Sequence, residues 1–173
     1  MEFSGNTLAI VVVLLVAGFL IGNFMGAKPK AGEVRTADLR LLARKLRLYP
    51  KLVPPPAWLP SDAKMLPQYA LVMDEFSLPM ACYVIKDGVW QPIDGELPKK
   101  AQVLSGLAID LPADIQKLML GLQIKANSVI VYWQDDQYQQ RKDAQKLNET
   151  QAMKDLTALK TAMEHWGNLV QSH

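Results

Sequence analysis

Two histidines, His165 and His173, and one cysteine, Cys82, are all the imidazole and thiol groups this 173-residue chain offers. A transition-metal site takes three or four ligands at close, recurrent spacing, and no such spacing occurs here. The sequence therefore predicts no metal and no cofactor. Nucleophilic chemistry fares no better. Ser61-Asp62 and Ser105-Gly106 have no histidine nearby in sequence to act as base, and the chain has neither a glycine-rich phosphate loop nor a nucleophile elbow. Cys82 sits in an apolar run with no basic neighbour, the setting of a small buried hydrophobe rather than an activated thiolate. The adjacent acid pairs, Asp74-Glu75 and Asp135-Asp136, read as turn and cap residues, because neighbours on a strand point to opposite faces. On residue types and spacing, the chain is not expected to be an enzyme.

The elements that would hold any site begin with an apolar run. No ionisable side chain occurs between Glu2 and Lys28. As a helix, residues 8–25 would span about 27 Å, close to the roughly 30 Å hydrocarbon core of a bilayer. The run lacks a basic start and a small-residue cleavage site, so a retained signal anchor is expected over a cleaved leader and a secreted product. Cations cluster on its C-terminal side, which predicts a single-pass membrane protein with a short N-terminus outside and a cytoplasmic C-terminal domain, in the inner membrane if the source is bacterial. Gly18, Gly22 and Gly26 recur every four residues and line one helix face. With Asn23 as a hydrogen-bonding group, they predict a transmembrane packing surface for another helix.

Next comes a basic stretch. Residues 28–51 carry eight Lys and Arg against Glu33 and Asp38. The segment "TADLRLLARKLRLYP" reads as a short amphipathic helix with Leu39, Leu42, Ala43 and Leu46 on one face. Arg35, Arg40, Arg44, Lys45 and Arg47 are the expected contacts to anionic lipid headgroups. The net charge of +2 and the absence of interleaved aromatics argue against nucleic acid as a partner. "YPKLVPPPAWLP" then breaks any helix and predicts a stiff spacer or strap, with Trp58 and Leu59 tucked into the domain beyond it.

Beyond position 60 the pattern turns to short strands. In "MACYVIKDGVWQP", Asp87-Gly88 predicts a type I′ hairpin. Lys86 then faces Val89, Tyr83, Ile85 and Trp90 share one sheet face, and Cys82 and Val84 lie on the other. "QYALVMD" and "SVIVYWQ" read as further strands, and "DLPADIQKLMLGLQIKAN" as a helix burying Ile115, Leu118, Met119 and Leu122. Residues 135–171 read as a final helix, in which Leu156, Leu159, Met163 and Trp166 belong to a seam able to bind a partner helix or the domain itself.

The expected fold is α+β in four parts. An anchor (1–27) precedes a basic juxtamembrane helix with its Pro-rich spacer (28–60). A small α+β domain with a 3–4-stranded antiparallel sheet (61–134) and a C-terminal amphipathic helix (135–173) follow. The expected function is a single-pass scaffold, adaptor or accessory subunit of a membrane protein complex. Its partners would be the bilayer and a membrane or cytoplasmic protein, a second copy included. A membrane-tethered enzyme or ligand-sensing domain is the alternative.

Overall fold

The structure is a computed structural model describing residues 5–26, 30–93, 97–140 and 146–173, with side chains of the first helix described over residues 9–22. The chain divides into two compact units, Met1–Ala31 and Gly32–His173. The first contains helix α1 (Gly5–Gly26), whose β-branched and leucine side chains stand exposed along its described length. Among the described residues, no helix is long and apolar enough to cross a membrane. This finding corrects three sequence expectations: the transmembrane helix, the signal anchor, and the single-pass membrane location with a cytoplasmic domain.

Among the described residues, the second unit contains six strands rather than three or four. They are β1 (Tyr49–Val53), β2 (Leu66–Val72), β3 (Leu78–Lys86), β4 (Val89–Pro92), β5 (Met119–Ala126) and β6 (Ser128–Trp133). All neighbours pair antiparallel, in the order β1-β2-β6-β5-β3-β4. Two strands escaped the sequence reading. β1 carries Pro50, which hid it inside the presumed helix-and-spacer segment. A proline lacks the ladder's N–H, so it is tolerated at a sheet edge, where β1 lies. β5 was hidden because Ile115, Leu118, Met119 and Leu122 satisfy a helical period. Only Ala113–Gln116 form a helical turn, α3. From Met119 onward Gly121, Leu122 and Ile124 are buried in an extended strand, and Ala126 turns back with φ 54.

The β3–β4 hairpin follows its turn chemistry. Asp87 and Gly88 both take positive φ (54 and 78), and the register pairs Lys86 with Val89 and Ile85 with Trp90. Tyr83 and Trp90 thereby reach the main core fully buried.

Helix α2 (Ala31–Lys45) starts before the expected segment, and within it Thr36 donates its hydroxyl to the Gly32 carbonyl at 2.9 Å. Its end is a Schellman motif. Leu48 N–H bonds the Ala43 carbonyl and Arg47 N–H the Arg44 carbonyl, with Arg47 in the left-handed region at φ 63. The last helix, α4 (Glu149–Ser172), begins at an Asn148 cap whose side chain accepts the Gln151 N–H at 3.1 Å, well after the expected start at 135. Residues 135–137 form a single 3-10 turn instead.

Helices α2 and α4, together with a 3-10 turn at Lys99–Leu104, contribute to one core with a sheet face. Leu39, Leu42 and Ala43 come from α2, Leu156, Leu159, Met163 and Val170 from α4, and Tyr69, Tyr83, Val131 and Trp133 from the strands. Gly167 is what allows α4 to sit this low, since a Cβ there would run into Met73 and come within 3.2 Å of Val129 Cγ2. The opposite sheet face carries a smaller, separate cluster of Leu59, Leu66 and Tyr132, with Trp58, Val84, Leu120 and Ile130 packed on it.

Candidate functional site

In the second unit a groove of about 990 Å³ runs along α4. One wall is the segment 107–112, held down by hydrogen bonds from Trp90 N–H to the Leu107 carbonyl and from Gly106 N–H to the Trp90 carbonyl. The other wall is α4, where Ala158 and Ala162 remove bulk and Thr157 and Thr161 edge the opening. Leu111 and Trp166 form its buried apolar lining, and Trp166 is backed edge-on by Trp90 with ring centroids 5.2 Å apart. Asp110, Lys154 and His165 also line it and are exposed. The lining supplies apolar contact with scattered charge, and shape rather than a convergent acid–base set is what it offers. A face of small residues next to the leucine seam was the sequence signal for this groove, and it was not read.

Two polar networks lie deeper. Asp135 is almost wholly buried, yet its carboxylate accepts Arg40 Nε at 2.7 Å, Arg40 Nη2 at 2.9 Å and the Tyr69 hydroxyl at 2.9 Å. The two-toothed guanidinium contact draws α2 onto the end of β6. The hydrogen bond from Arg40 to Asp135 raises the arginine's already high pKa, and burial followed by the Asp135 charge drives the Tyr69 phenol far above its ordinary value. In the second network the Tyr138 hydroxyl donates to Asp155 Oδ2 at 2.6 Å and Gln151 donates to Oδ1 at 2.8 Å. Gln139 bridges Tyr138 to the Asn148 cap. Burial and then the Asp155 contact raise the Tyr138 phenol, and burial raises Tyr83, whose hydroxyl donates to the Ala101 carbonyl at 2.6 Å. The first network ties α2 to the sheet layer, and the second borders a surface pocket of about 400 Å³ that Gln139, Asn148 and Gln151 help to line.

These tyrosines set an alkaline limit on stability. Their folded-state pKa lies above the value near 10 of an unfolded chain, so their contribution is complete below about pH 10 and is lost as pH rises further. Urea midpoints should hold to about pH 9.5 and then fall. Tyr138→Phe should reduce the steepness by about 1.4 kcal/mol per pH unit. A midpoint that stays level between pH 9.5 and 11 would contradict the buried, protonated phenols.

The residues singled out in the sequence fall in different places. A Cβ added at Gly18 or Gly22 would meet nothing within 4 Å, while Asn23 and Gly26 lie beyond the residues of α1 whose surroundings are described. Of the five basic residues assigned to lipid contact, Arg35 is buried and Arg40 is committed to Asp135; Arg44, Lys45 and Arg47 are exposed. Leu156, Leu159, Met163 and Trp166 are buried in the domain's own core. Among the described residues, no group of three or more His, Cys, Asp and Glu side chains is arranged to hold a metal. Comparison with known protein families, curated proteins and solved structures finds no match.

Proposed function

We propose that the protein is a scaffold or adaptor that works by protein–protein contact, with α1 as its assembly element and the six-stranded domain as the body it carries. The observation behind this reading is α1 itself. Leu14 and Leu15 are 66% and 69% exposed, and Phe19 is 72% exposed. Side chains of this kind lose free energy by leaving water, roughly 1.5–3 kcal/mol for each fully buried leucine or phenylalanine. An exposed apolar surface of this extent is what interaction sites are made of. The helix carries no charged residue, so its partner surface must be uncharged and apolar as well. Gly18 and Gly22 leave a groove in which a partner helix can approach its backbone closely.

Native electrophoresis with light scattering of the tagged full-length chain tests this. The expected result is a species larger than one 19.3 kDa chain, of copies or with a co-purified protein, which Gly22→Leu shifts toward the single chain. Migration as a lone chain, indifferent to Gly22→Leu, overturns the proposal. The groove beside α4 favours a second reading, a domain that senses an apolar ligand. Filling it with Ala158→Trp leaves assembly unchanged if α1 is the assembly element.

A further inference from the structure

The loop between β1 and β2 has closed ends. Val53 and Leu66 are direct cross-strand partners, so residues 54–65 leave the sheet and return to it at one rung of the ladder. This is the geometry of an Ω-loop, whose movement need not disturb the elements that flank it. Its first part, "PPPAWLP", crosses the sheet face that α2 and α4 leave free. Pro54, Pro55, Pro56 and Pro60 have no backbone N–H, so this strap has few donors to give the sheet. The Leu59 N–H bonds back to the Pro56 carbonyl within the strap itself.

Side chains therefore hold the strap down. Leu59 is 4% exposed, and Trp58 meets Tyr132 edge-on with centroids 5.5 Å apart. Gly121 provides the seat: a Cβ there would come within 2.9 Å of Leu59 Cδ1 and 3.0 Å of Trp58 Cζ3. The closed position also carries a penalty, because the Trp58 indole N–H is buried without a hydrogen-bond partner and would regain one in water. The apolar cluster it covers is separate from the main core.

We propose that residues 54–60 form a latch that opens while the domain stays folded, baring Leu66, Val84, Leu120, Ile130 and Tyr132 on the helix-free face of the sheet. Cys82 reports on it. The Tyr132 hydroxyl bonds Gln123 Oε1 at 3.3 Å, and Gln123 Nε2 lies 3.7 Å from Cys82 Sγ, so freeing Tyr132 from Trp58 loosens the cover over the thiol. Cys82 is the sole cysteine, which makes its labelling unambiguous.

The experiment is the rate of Cys82 modification by an aromatic disulfide reagent, measured across low urea concentrations on the full chain. Trp58→Ala and Leu59→Ala are each expected to speed labelling at least tenfold without urea, with weak urea dependence. Leu159→Ala, in the main core, is expected to lower global stability and leave that rate unchanged. Two results overturn the latch. One is labelling in both strap variants within twofold of the parent. The other is a Leu159→Ala rate that rises in proportion to lost global stability, which would mean the thiol is reached only by complete unfolding.

Discussion

Asp135→Ala is expected to lower the stability of the six-stranded domain by about 3 kcal/mol. The carboxylate is shared by two groups that cannot replace it. Without it, the Tyr69 hydroxyl is left inside the core with no acceptor, and Arg40 loses both charge-assisted hydrogen bonds. The Arg40 side chain retains 25% exposure, so water recovers part of its hydration and the loss falls at the lower end of the range for broken buried pairs. Arg40→Met should cost more, about 3–5 kcal/mol, because it strands the charge on the fully buried side of the pair. At this domain size, 3 kcal/mol corresponds to about 10 °C in Tm. Thermal and urea unfolding followed by circular dichroism measure it. A loss under 1 kcal/mol in both variants would mean that the pair contributes no more than an exposed one.

The same pair shows where sequence reasoning stops. Arg40 and Asp135 lie 95 positions apart, and each had a sufficient local explanation, one as a headgroup contact and the other as a helix cap. Nothing in a linear chain marks two such charges for one another; only the β2–β6 ladder that carries Tyr69 and the start of the 135–137 turn brings them together. The β3–β4 hairpin was legible because a two-residue Asp-Gly turn fixes register locally. The buried stripe of α2 was legible for a similar reason, since helix period alone selects Leu39, Leu42 and Ala43. Strand β5 was not, because Met119 and Leu122 continue a helical spacing that starts at Ile115 and Leu118 yet also fit a strand buried on both faces, and its neighbours β3 and β6 decide between the two. The groove was hidden for a further reason. Its α4 wall is made of what is missing, the bulk absent at Ala158 and Ala162, and small residues give no periodic signal of their own.

Trp166→Ala separates the two meanings that the α4 seam had in the sequence. The ring is 2% exposed, lines the groove on one side and stands edge-on to fully buried Trp90 on the other. Truncation removes the apolar burial of a whole indole and leaves a cavity that the packed strands below cannot close, so the expected loss is about 3–5 kcal/mol. Part of it is the aromatic pair itself, about 1 kcal/mol beyond area, which a double-mutant cycle with Trp90→Phe would isolate. Because the seam is occupied by this chain's own sheet, the variant should lose stability without changing in assembled mass. A seam that served a partner helix would give the reverse, a modest loss of stability with a clear change in mass by light scattering. The first pattern places the indole in the core of the body that α1 carries; the second would move the assembly surface from α1 to α4.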